Sequence, residues 1–249
     1  MLSRLLKGFS RTPPAINPLE DYFANNPGRA IHKWDHYFEV YHRHFAPFCG
    51  QSPVIMEIGV QNGGSLQMWR HYFGPGTRVI GIDLNPQCRQ FENADTRILI
   101  GDQADRGFLA EVRRQVPHLD ILIDDGGHSM TQQINTFEAL YPHIQPHGVY
   151  VCEDMNTSLI ADFGGGERRE GTFLEYSKGL IDRLYGWHAH DMAGLIDELH
   201  GKYVKDPAQL PADGMTQTTF ALHFYDAMLV IEKRPTSQPL AHLTGTWSL

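Results

Sequence analysis

Two stretches of the sequence place acidic side chains directly after an apolar run. They are ILIDDGGH (residues 121–128) and VYVCED (residues 149–154). Unpaired carboxylates at neighbouring strand ends would repel one another and raise one another's pKa values. A hard divalent cation such as Mg²⁺ removes this conflict, because it prefers oxygen ligands and leaves room for substrate oxygens. We predict a metal site formed by Asp124, Glu153 and Asp154, and we leave open that Asp125 replaces or joins Asp124.

These acidic residues belong to a regular alternation of apolar runs and helical patterns. The runs are PVIMEIGV, RVIGID, TRILIGD, LDILIDD and VYVCED. Short apolar runs that alternate with amphipathic segments are typical of βαβ units and a parallel sheet. The later stretch QTTFALHFYDAMLVIEKR indicates a hairpin, which is antiparallel. We therefore predict an α/β fold with a doubly wound, Rossmann-like sheet and an antiparallel last strand.

The regions around this sheet carry weaker signals. Residues 12–29 contain many prolines and glycines, which predicts an extended lead-in with at most one short helical turn. Residues 32–48 show aromatic side chains at helical spacing, which indicates an amphipathic helix used for core packing, with a lid over the acceptor as the alternative. We predict three parts. They are an N-terminal extension with the aromatic helix (1–50), the main domain (51–235) and a C-terminal tail (236–249).

Composition narrows the class of protein. The chain has 249 residues, of which 41% are hydrophobic and 20% charged, so it is long enough for a sizeable core. A net charge of -8 argues against non-specific nucleic-acid binding and against docking on anionic lipid. No apolar run approaches the ~20 residues of a membrane span, and residues 1–14 do not resemble a secretory signal. Three cysteines without a CxxC motif favour a reducing, cytoplasmic location.

A glycine-rich turn follows the first predicted strand in EIGVQNGGS (residues 57–65). It lacks the G-x-G-x-x-G spacing, and the carboxylate of Glu57 beside it disfavours a pyrophosphate and favours a cationic ligand such as S-adenosylmethionine. Asp83, at the end of the next strand, suits ribose hydroxyls, and Asp102 with Gln103 would face the adenine. The predicted cofactor residues are Glu57, Gly59, Asn62, Gly63, Ser65, Asp83, Asp102 and Gln103. The alternative is a plain tight turn followed by a solvated aspartate.

Several segments together resemble a known family over roughly residues 31–165. They are HKWDHYFEVYHRHF, MEIGVQNGGSLQMW, GIDLNP, GDQAD, IDDGGH and YVCEDMNTS. The family is a bacterial branch of the class I S-adenosylmethionine-dependent methyltransferases, which includes metal-dependent macrolide sugar O-methyltransferases and proteins described as cephalosporin hydroxylases. The resemblance implies a seven-stranded sheet, S-adenosylmethionine as donor, and Mg²⁺ held by carboxylates at the ends of the fourth and fifth strands.

The predicted reaction is Mg²⁺-assisted O-methylation of a hydroxyl on a small molecule, such as a sugar or a secondary metabolite. His128 is the candidate base, because an imidazole has an unperturbed pKa of about 6.5. The alternative role of His128 is structural, in the first turn of the next helix. Asn156 stands where some relatives carry His or Gln, and His32 stands where the family often carries Asp.

Two other functions remain open at this point. An iron-dependent hydroxylase on the same strand ends would need two histidines and one carboxylate, and only His128 lies there. A non-catalytic protein that binds S-adenosylmethionine would show binding without turnover. The sequence identifies neither the acceptor nor the oligomeric state, and a homo-oligomer is left open.

Overall fold

The structure is a computed structural model that describes residues 17–188, 214–237, 239, 242, 244 and 245. Residues 1–16, residues 189–213 and most of the predicted C-terminal tail lie outside the described residues. The α-helices in the described part are α1 (Pro18–Ala24), α2 (Tyr37–Phe45), α3 (Gly64–Phe73), α4 (Arg106–Gln115), α5 (Met130–Leu140) and α6 (Phe173–Leu184). The strands are β1 (Val54–Ile58), β2 (Arg78–Asp83), β3 (Thr96–Ile100), β4 (Ile121–Asp124), β5 (Val149–Cys152), β6 (Thr219–Tyr225) and β7 (Met228–Lys233). Short 3-10 turns cover Ala46–Phe48, Pro86–Phe91, Tyr141–His143, Met155–Leu159, Ala161–Phe163 and Gly186–His188.

The seven strands form one sheet in the order β3-β2-β1-β4-β5-β7-β6. Strands β1 to β5 are parallel, and β7 pairs antiparallel with both β5 and β6. The hairpin predicted near the end of the chain is confirmed, with its turn between Tyr225 and Met228. Strand order reverses between β1 and β4, which is where open parallel sheets bind ligands beyond their carboxyl ends.

Alternating side chains of the strands feed two apolar layers, because successive residues of a strand point to opposite faces. Met56 and Ile58 of β1 pack in the layer that also contains buried residues of α4, α5 and α6. Ile55 of β1 packs in the other layer, with buried residues of α1, α2 and α3. The sheet is therefore covered on both faces, and no helix within the described residues is long and apolar enough to cross a membrane.

The N-terminal segment is more helical than the sequence predicts. Helix α1 runs for seven residues, so the expectation of at most one short turn is wrong. Asn17 supplies the reason: its side-chain oxygen accepts the backbone N–H of Leu19 at 3.0 Å, and Pro18 occupies the first helical position. Both features favour helix initiation.

The aromatic helix α2 packs as predicted, although it begins only at Tyr37. Its aromatic side chains at 37, 38, 41 and 45 are buried against the sheet face that α1 and α3 also cover. Trp34, which precedes the helix, is the exception and is 54% exposed. Residues 30–36 pass over the carboxyl ends of the central strands, where Lys33 contacts the acidic side chains of β1 and of the residues after β4 and β5.

Candidate active site

A cleft of about 830 Å³ lies over the carboxyl ends of the strands at the point where strand order reverses. Its walls are the loops after β1, β2, β4 and β5, together with residues of the segment between α1 and α2. Gly59 has φ +95°, and a Cβ there would lie 1.9 Å from the carbonyl oxygen of Asp125. Only glycine permits this close approach, which keeps the loop after β1 against the end of β4.

Three acidic side chains converge on one buried ammonium group below this cleft. The Nζ of Lys33 lies 2.5 Å from an oxygen of Asp125, 2.9 Å from both carboxylate oxygens of Glu153 and 3.4 Å from Glu57. The side chains of Lys33, Glu57 and Glu153 are almost fully shielded from solvent. The site thus contains an internal counter-charge that was not among the predicted site residues.

The charge state of Lys33 follows from these contacts. Burial by itself would lower the pKa of the Lys33 ammonium, but the charges of Asp125, Glu153 and Glu57 raise it well above its usual value. Lys33 therefore stays protonated at neutral pH. Because Glu57 is neutralised from inside the protein and also accepts the Ser65 hydroxyl at 2.6 Å, its charge is not directed at a ligand in the way the sequence argument assumed.

Asp124 and Asp125 face opposite sides of the sheet. Asp124 is buried on the α5 side, where it accepts the side-chain amide of Gln103 at 2.8 Å. Burial raises the pKa of the Asp124 carboxyl to about 7, against the lowering effect of that hydrogen bond. The carboxylate that reaches the cleft is Asp125, so the structure places the second of the two adjacent aspartates, and not Asp124, beside the other polar groups of the site.

Asp125, His128 and Asp154 form a group at this cleft whose ligand atoms lie within 4.8 Å of one another. His128 Nε2 is 3.7 Å from Oδ1 of Asp125 and 3.6 Å from Oδ2 of Asp154. Its Nδ1 is buried without a hydrogen-bond partner among the described residues. Each carboxylate directs to His128 the oxygen that it does not use for its own anchoring, since Lys33 holds Oδ2 of Asp125 and other groups hold Oδ1 of Asp154.

Aromatic side chains from the N-terminal segment hold the end of β5. The Tyr37 hydroxyl and the Trp34 indole N–H donate to Oδ1 of Asp154 at 2.8 Å and 3.0 Å. The Tyr41 hydroxyl donates to Glu153 at 2.5 Å. These three donors fix two adjacent acidic residues by hydrogen bonds to charged acceptors, which are stronger than neutral ones.

The predicted cofactor residues divide into two groups. Those that line the cleft are Gly59, Asn62, Ser65, Asp83 and Gln103. Glu57, Gly63 and Asp102 are not part of its wall. Asp102 accepts the backbone N–H of Ala104 at 2.8 Å and so shapes its own turn, while Gly63 has φ +69° next to the ring of Phe91. Gln103 lines the cleft, but both ends of its amide are bonded within the protein.

Asp83 organises the glycine-rich loop. Its Oδ2 accepts the backbone N–H groups of Val60 and Gln61 at 2.9 Å and 3.0 Å, and its Oδ1 accepts that of Asn85 at 2.8 Å. A carboxylate offers about four acceptor positions, so capacity remains for a ligand hydroxyl. The adjacent Leu84 lines the cleft and is 60% exposed, which provides an apolar surface for a flat ring beside the polar group.

Sequence reasoning missed five residues at this site. They are Lys33, Trp34, Tyr37, Tyr41 and Leu84. The signal for Lys33 was the surplus of acidic residues at adjacent strand ends, because buried carboxylates require a compensating charge. No local signal distinguishes Tyr37 and Tyr41 from core aromatics, since their rings are in fact core and only their hydroxyls reach the acidic residues.

Known proteins similar to this chain are methyltransferases. Residues 56–155 match a family described as "Methyltransferase domain". The chain is 30% identical to 8-demethyl-8-alpha-L-rhamnosyl tetracenomycin-C 2'-O-methyltransferase from Streptomyces olivaceus, over 90% of the chain and 61% of the relative. It is 37% identical to mycinamicin VI 2''-O-methyltransferase from Micromonospora griseorubida, over 58% of the chain and 38% of that protein. The chain therefore spans only about two fifths to three fifths of the length of these relatives.

A solved structure shows the same fold. MycE methyltransferase from the mycinamycin biosynthetic pathway, in complex with Mg and SAH, superposes with a TM-score of 0.69 and 29% identity. The match covers 91% of this chain and 56% of MycE. The predicted fold is thereby confirmed: a seven-stranded, Rossmann-like methyltransferase sheet with antiparallel strands at its end. The sequence motifs predicted a resemblance to a methyltransferase branch that includes sugar O-methyltransferases, and these matches confirm it.

Replacing Lys33 tests whether its charge holds the site together. Lys33→Met leaves Glu57, Asp125 and Glu153 without their shared cation, so we expect a loss of about 3–5 kcal/mol in the free energy of unfolding. Urea denaturation measures it, and Lys178→Met, which removes an exposed lysine, is the matched control. Adding Glu153→Gln to Lys33→Met should recover part of the loss. Equal stability of the two lysine variants would refute a central role for this charge.

Proposed function

We propose that this chain, whose residues 56–155 match a methyltransferase domain, is an S-adenosylmethionine-dependent, Mg²⁺-assisted O-methyltransferase. Its acceptor would be a hydroxyl group on a small molecule, with a sugar attached to a secondary metabolite as the favoured class. The observation that carries the proposal is the group of Asp125, His128 and Asp154 in a cleft that the glycine-rich loop also lines. A methyl donor and an acceptor hydroxyl can meet in such a cleft.

The donor end of the cleft suits a nucleoside. Asp83 has remaining acceptor capacity for ribose hydroxyls, and exposed Leu84 beside it offers an apolar contact for the adenine ring. The close approach of the loop after β1, which Gly59 permits, shapes the space for the methionine part. The size of the cleft, about 830 Å³, lies within the usual range for small-molecule sites. Glu57, Gly63 and Asp102 do not line the cleft, and we propose that they hold the residues of its wall in place.

The acceptor end of the cleft suits a hard cation. Asp125 and Asp154 each present a carboxylate oxygen that is not used for anchoring, and Glu153 lines the same wall. We propose these three carboxylates as the metal ligands, with Asp125 in place of Asp124. Both oxygens of Glu153 lie 2.9 Å from Lys33 Nζ, so Glu153 would exchange part of that contact for the ion. Oxygen donors of this type match Mg²⁺. When bound, the ion would supply positive charge that makes an acceptor hydroxyl more acidic.

His128 is the proposed general base. A cation that prefers oxygen leaves the imidazole for proton transfer, and its Nε2 lies beside Asp125 and Asp154. The acceptor oxygen would give its proton to His128 and form a bond to the methyl carbon. The carbon–sulfur bond would break at the same time, with its electron pair left on sulfur. Asp125 and Asp154 position His128 and the acceptor for this step.

Two observations bear on the acceptor and on the rival functions. The exposed ring of Trp34 lines the cleft next to Asp154, and an aromatic face with a polar edge suits a sugar. An iron site of two histidines and one carboxylate is not formed at this cleft among the described residues, because its candidate group has one histidine and two carboxylates. The three cysteines are free thiols, which supports a proposed cytoplasmic location.

Donor binding is the first test. Titration calorimetry with S-adenosylhomocysteine should give a saturable isotherm for the parent protein. Asp83→Ala removes the acceptor for ribose and the anchor of the loop after β1, so the affinity should fall about 10- to 100-fold. Asp182→Ala, on the exposed face of α6, should leave the affinity unchanged. A parent protein that fails to bind the ligand would exclude the donor and with it the proposed function.

Metal binding distinguishes the two adjacent aspartates. With Mn²⁺ as a paramagnetic stand-in for Mg²⁺, electron paramagnetic resonance should detect one bound ion in the parent protein. Asp125→Asn and Asp154→Asn each remove a charged oxygen ligand, and we expect at least about tenfold weaker binding. Asp124→Asn should bind like the parent, because its side chain lies on the other face of the sheet. Weakened binding in Asp124→Asn alone would return the ligand role to that residue.

Turnover tests the base. With labelled S-adenosylmethionine and a panel of glycosylated polyketides that carry free sugar hydroxyls, His128→Ala should lower kcat by about 10²–10⁴. Its affinity for S-adenosylhomocysteine should stay at the parent value, and His118→Ala, which changes an exposed histidine, should keep parental turnover. An His128→Ala variant with undiminished kcat would remove this residue from the chemistry. Donor binding without transfer to any acceptor would favour the non-catalytic alternative.

A further inference from the structure

A second cluster of metal-binding side chains lies away from the cleft, between α2 and the terminal hairpin. It comprises His44 of α2, His223 of β6 and Glu232 of β7, whose ligand atoms lie within 4.8 Å of one another. None of the three lines the cleft. The sheet geometry explains the convergence, because His223 pairs with Val230 across the hairpin and Glu232 follows Val230 by one full alternation on the same face.

The distances within this cluster are those of ligands around a small ion. His44 Nδ1 is 2.9 Å from a carboxylate oxygen of Glu232, and His223 Nε2 is 3.3 Å from the same oxygen. Tetrahedral zinc with Zn–N and Zn–O bonds of about 2.0–2.2 Å separates its ligand atoms by about 3.3 Å. The three side chains thus need only a small adjustment to share one ion.

The hydrogen bonds around the cluster support the same conclusion. His44 Nε2 lies 2.8 Å from the Tyr225 hydroxyl, which can accept a hydrogen bond from the Nε2–H tautomer, the one that leaves a lone pair on Nδ1. A partner of this kind on the second ring nitrogen is a regular feature of metal-bound histidines. His223 Nε2, in contrast, is shielded from solvent and has no hydrogen-bond partner of good geometry among the described residues. An ion would satisfy that nitrogen.

We propose that His44, His223 and Glu232 bind a zinc ion. Two imidazoles and one carboxylate form a known zinc ligand set that leaves a fourth position for water, and such a nitrogen and oxygen site binds Zn²⁺ more tightly than Fe²⁺. His223 and Glu232 are each about one third exposed, at 35% and 32%, so the cluster lies close to the protein surface. The ion would join α2 to the hairpin and so restrain the helix whose Tyr37 and Tyr41 hold Asp154 and Glu153.

Arg43, next in sequence to His44, has its guanidinium over the Tyr225 ring at 5.9 Å and does not contribute a ligand.

Zinc titration of a full-length chain without an affinity tag tests the proposal. The protein is stripped with a chelator, and the titration uses the Asp125→Asn/Asp154→Asn variant so that the cleft does not compete for the ion. Calorimetry should show one equivalent of Zn²⁺, and Co²⁺ in its place should give the visible absorption of a four-coordinate, imidazole-bound ion. Absence of stoichiometric Zn²⁺ binding in this variant overturns the proposal.

Ligand variants made in the same background identify the site. His223→Gln removes a partly exposed ligand and should weaken zinc binding by more than 100-fold, whereas Tyr225→Phe removes only the partner of His44 and should weaken it about 10- to 100-fold. His71→Gln, on the exposed surface of α3, is the control and should bind like the parent. Zinc should also raise the Tm of the parent but not that of His223→Gln. Unchanged affinity in His223→Gln would place the ion elsewhere and refute the assignment.

Discussion

The ammonium group of Lys33 balances three carboxylates that the sheet itself brings together. Glu57 lies in β1, and Asp125 and Glu153 come directly after β4 and β5. These three strands are neighbours in the sheet, and the three acidic side chains point to the same face. Buried carboxylates in such proximity are unstable as ions unless a cation is placed among them. One lysine does this for all three, so the position of the segment that carries it is fixed by electrostatics and not only by packing.

This requirement makes the N-terminal segment a structural part of the site. Lys33 precedes α2, and the aromatic helix that follows buries its rings in the same apolar layer as α3. The hydroxyls of Tyr37 and Tyr41 then reach Asp154 and Glu153. The boundary at residue 50 stays a prediction, but the parts on its two sides share one site, because the strand ends carry the acidic groups while the N-terminal segment supplies their donors.

Much of this arrangement was predictable from the sequence, including which of Asp124 and Asp125 faces the cleft. The alternation of apolar runs and helices predicted the sheet, and the hairpin predicted its antiparallel edge. Between Asp124 and Asp125 the sequence seemed silent, yet Ile121 and Ile123 share a face with Asp125, while Leu122 shares the other with Asp124. The same period of two places Glu153 beside Val149 and Val151. The sequence could not show that residues 30–36 pass over the carboxyl ends of the central strands, because no local pattern encodes that long-range contact.

The way the acidic residues are anchored explains how the site stays ordered yet retains free ligand atoms. Asp125 uses Oδ2 for Lys33, and Asp154 uses Oδ1 for Trp34 and Tyr37, so each holds one oxygen fixed and leaves the other beside His128. A carboxylate held through both oxygens would have less capacity for a cation, and one held through neither would lose rotamer entropy on binding. A carboxylate held through one oxygen avoids both costs. It is already in position before a cation binds, and such preorganisation is what charge stabilisation in a transition state requires. Asp124 accepts the amide of Gln103 through Oδ1 on the opposite face, and its Oδ2 is buried there without a hydrogen-bond partner among the described residues, so neither oxygen reaches the cleft.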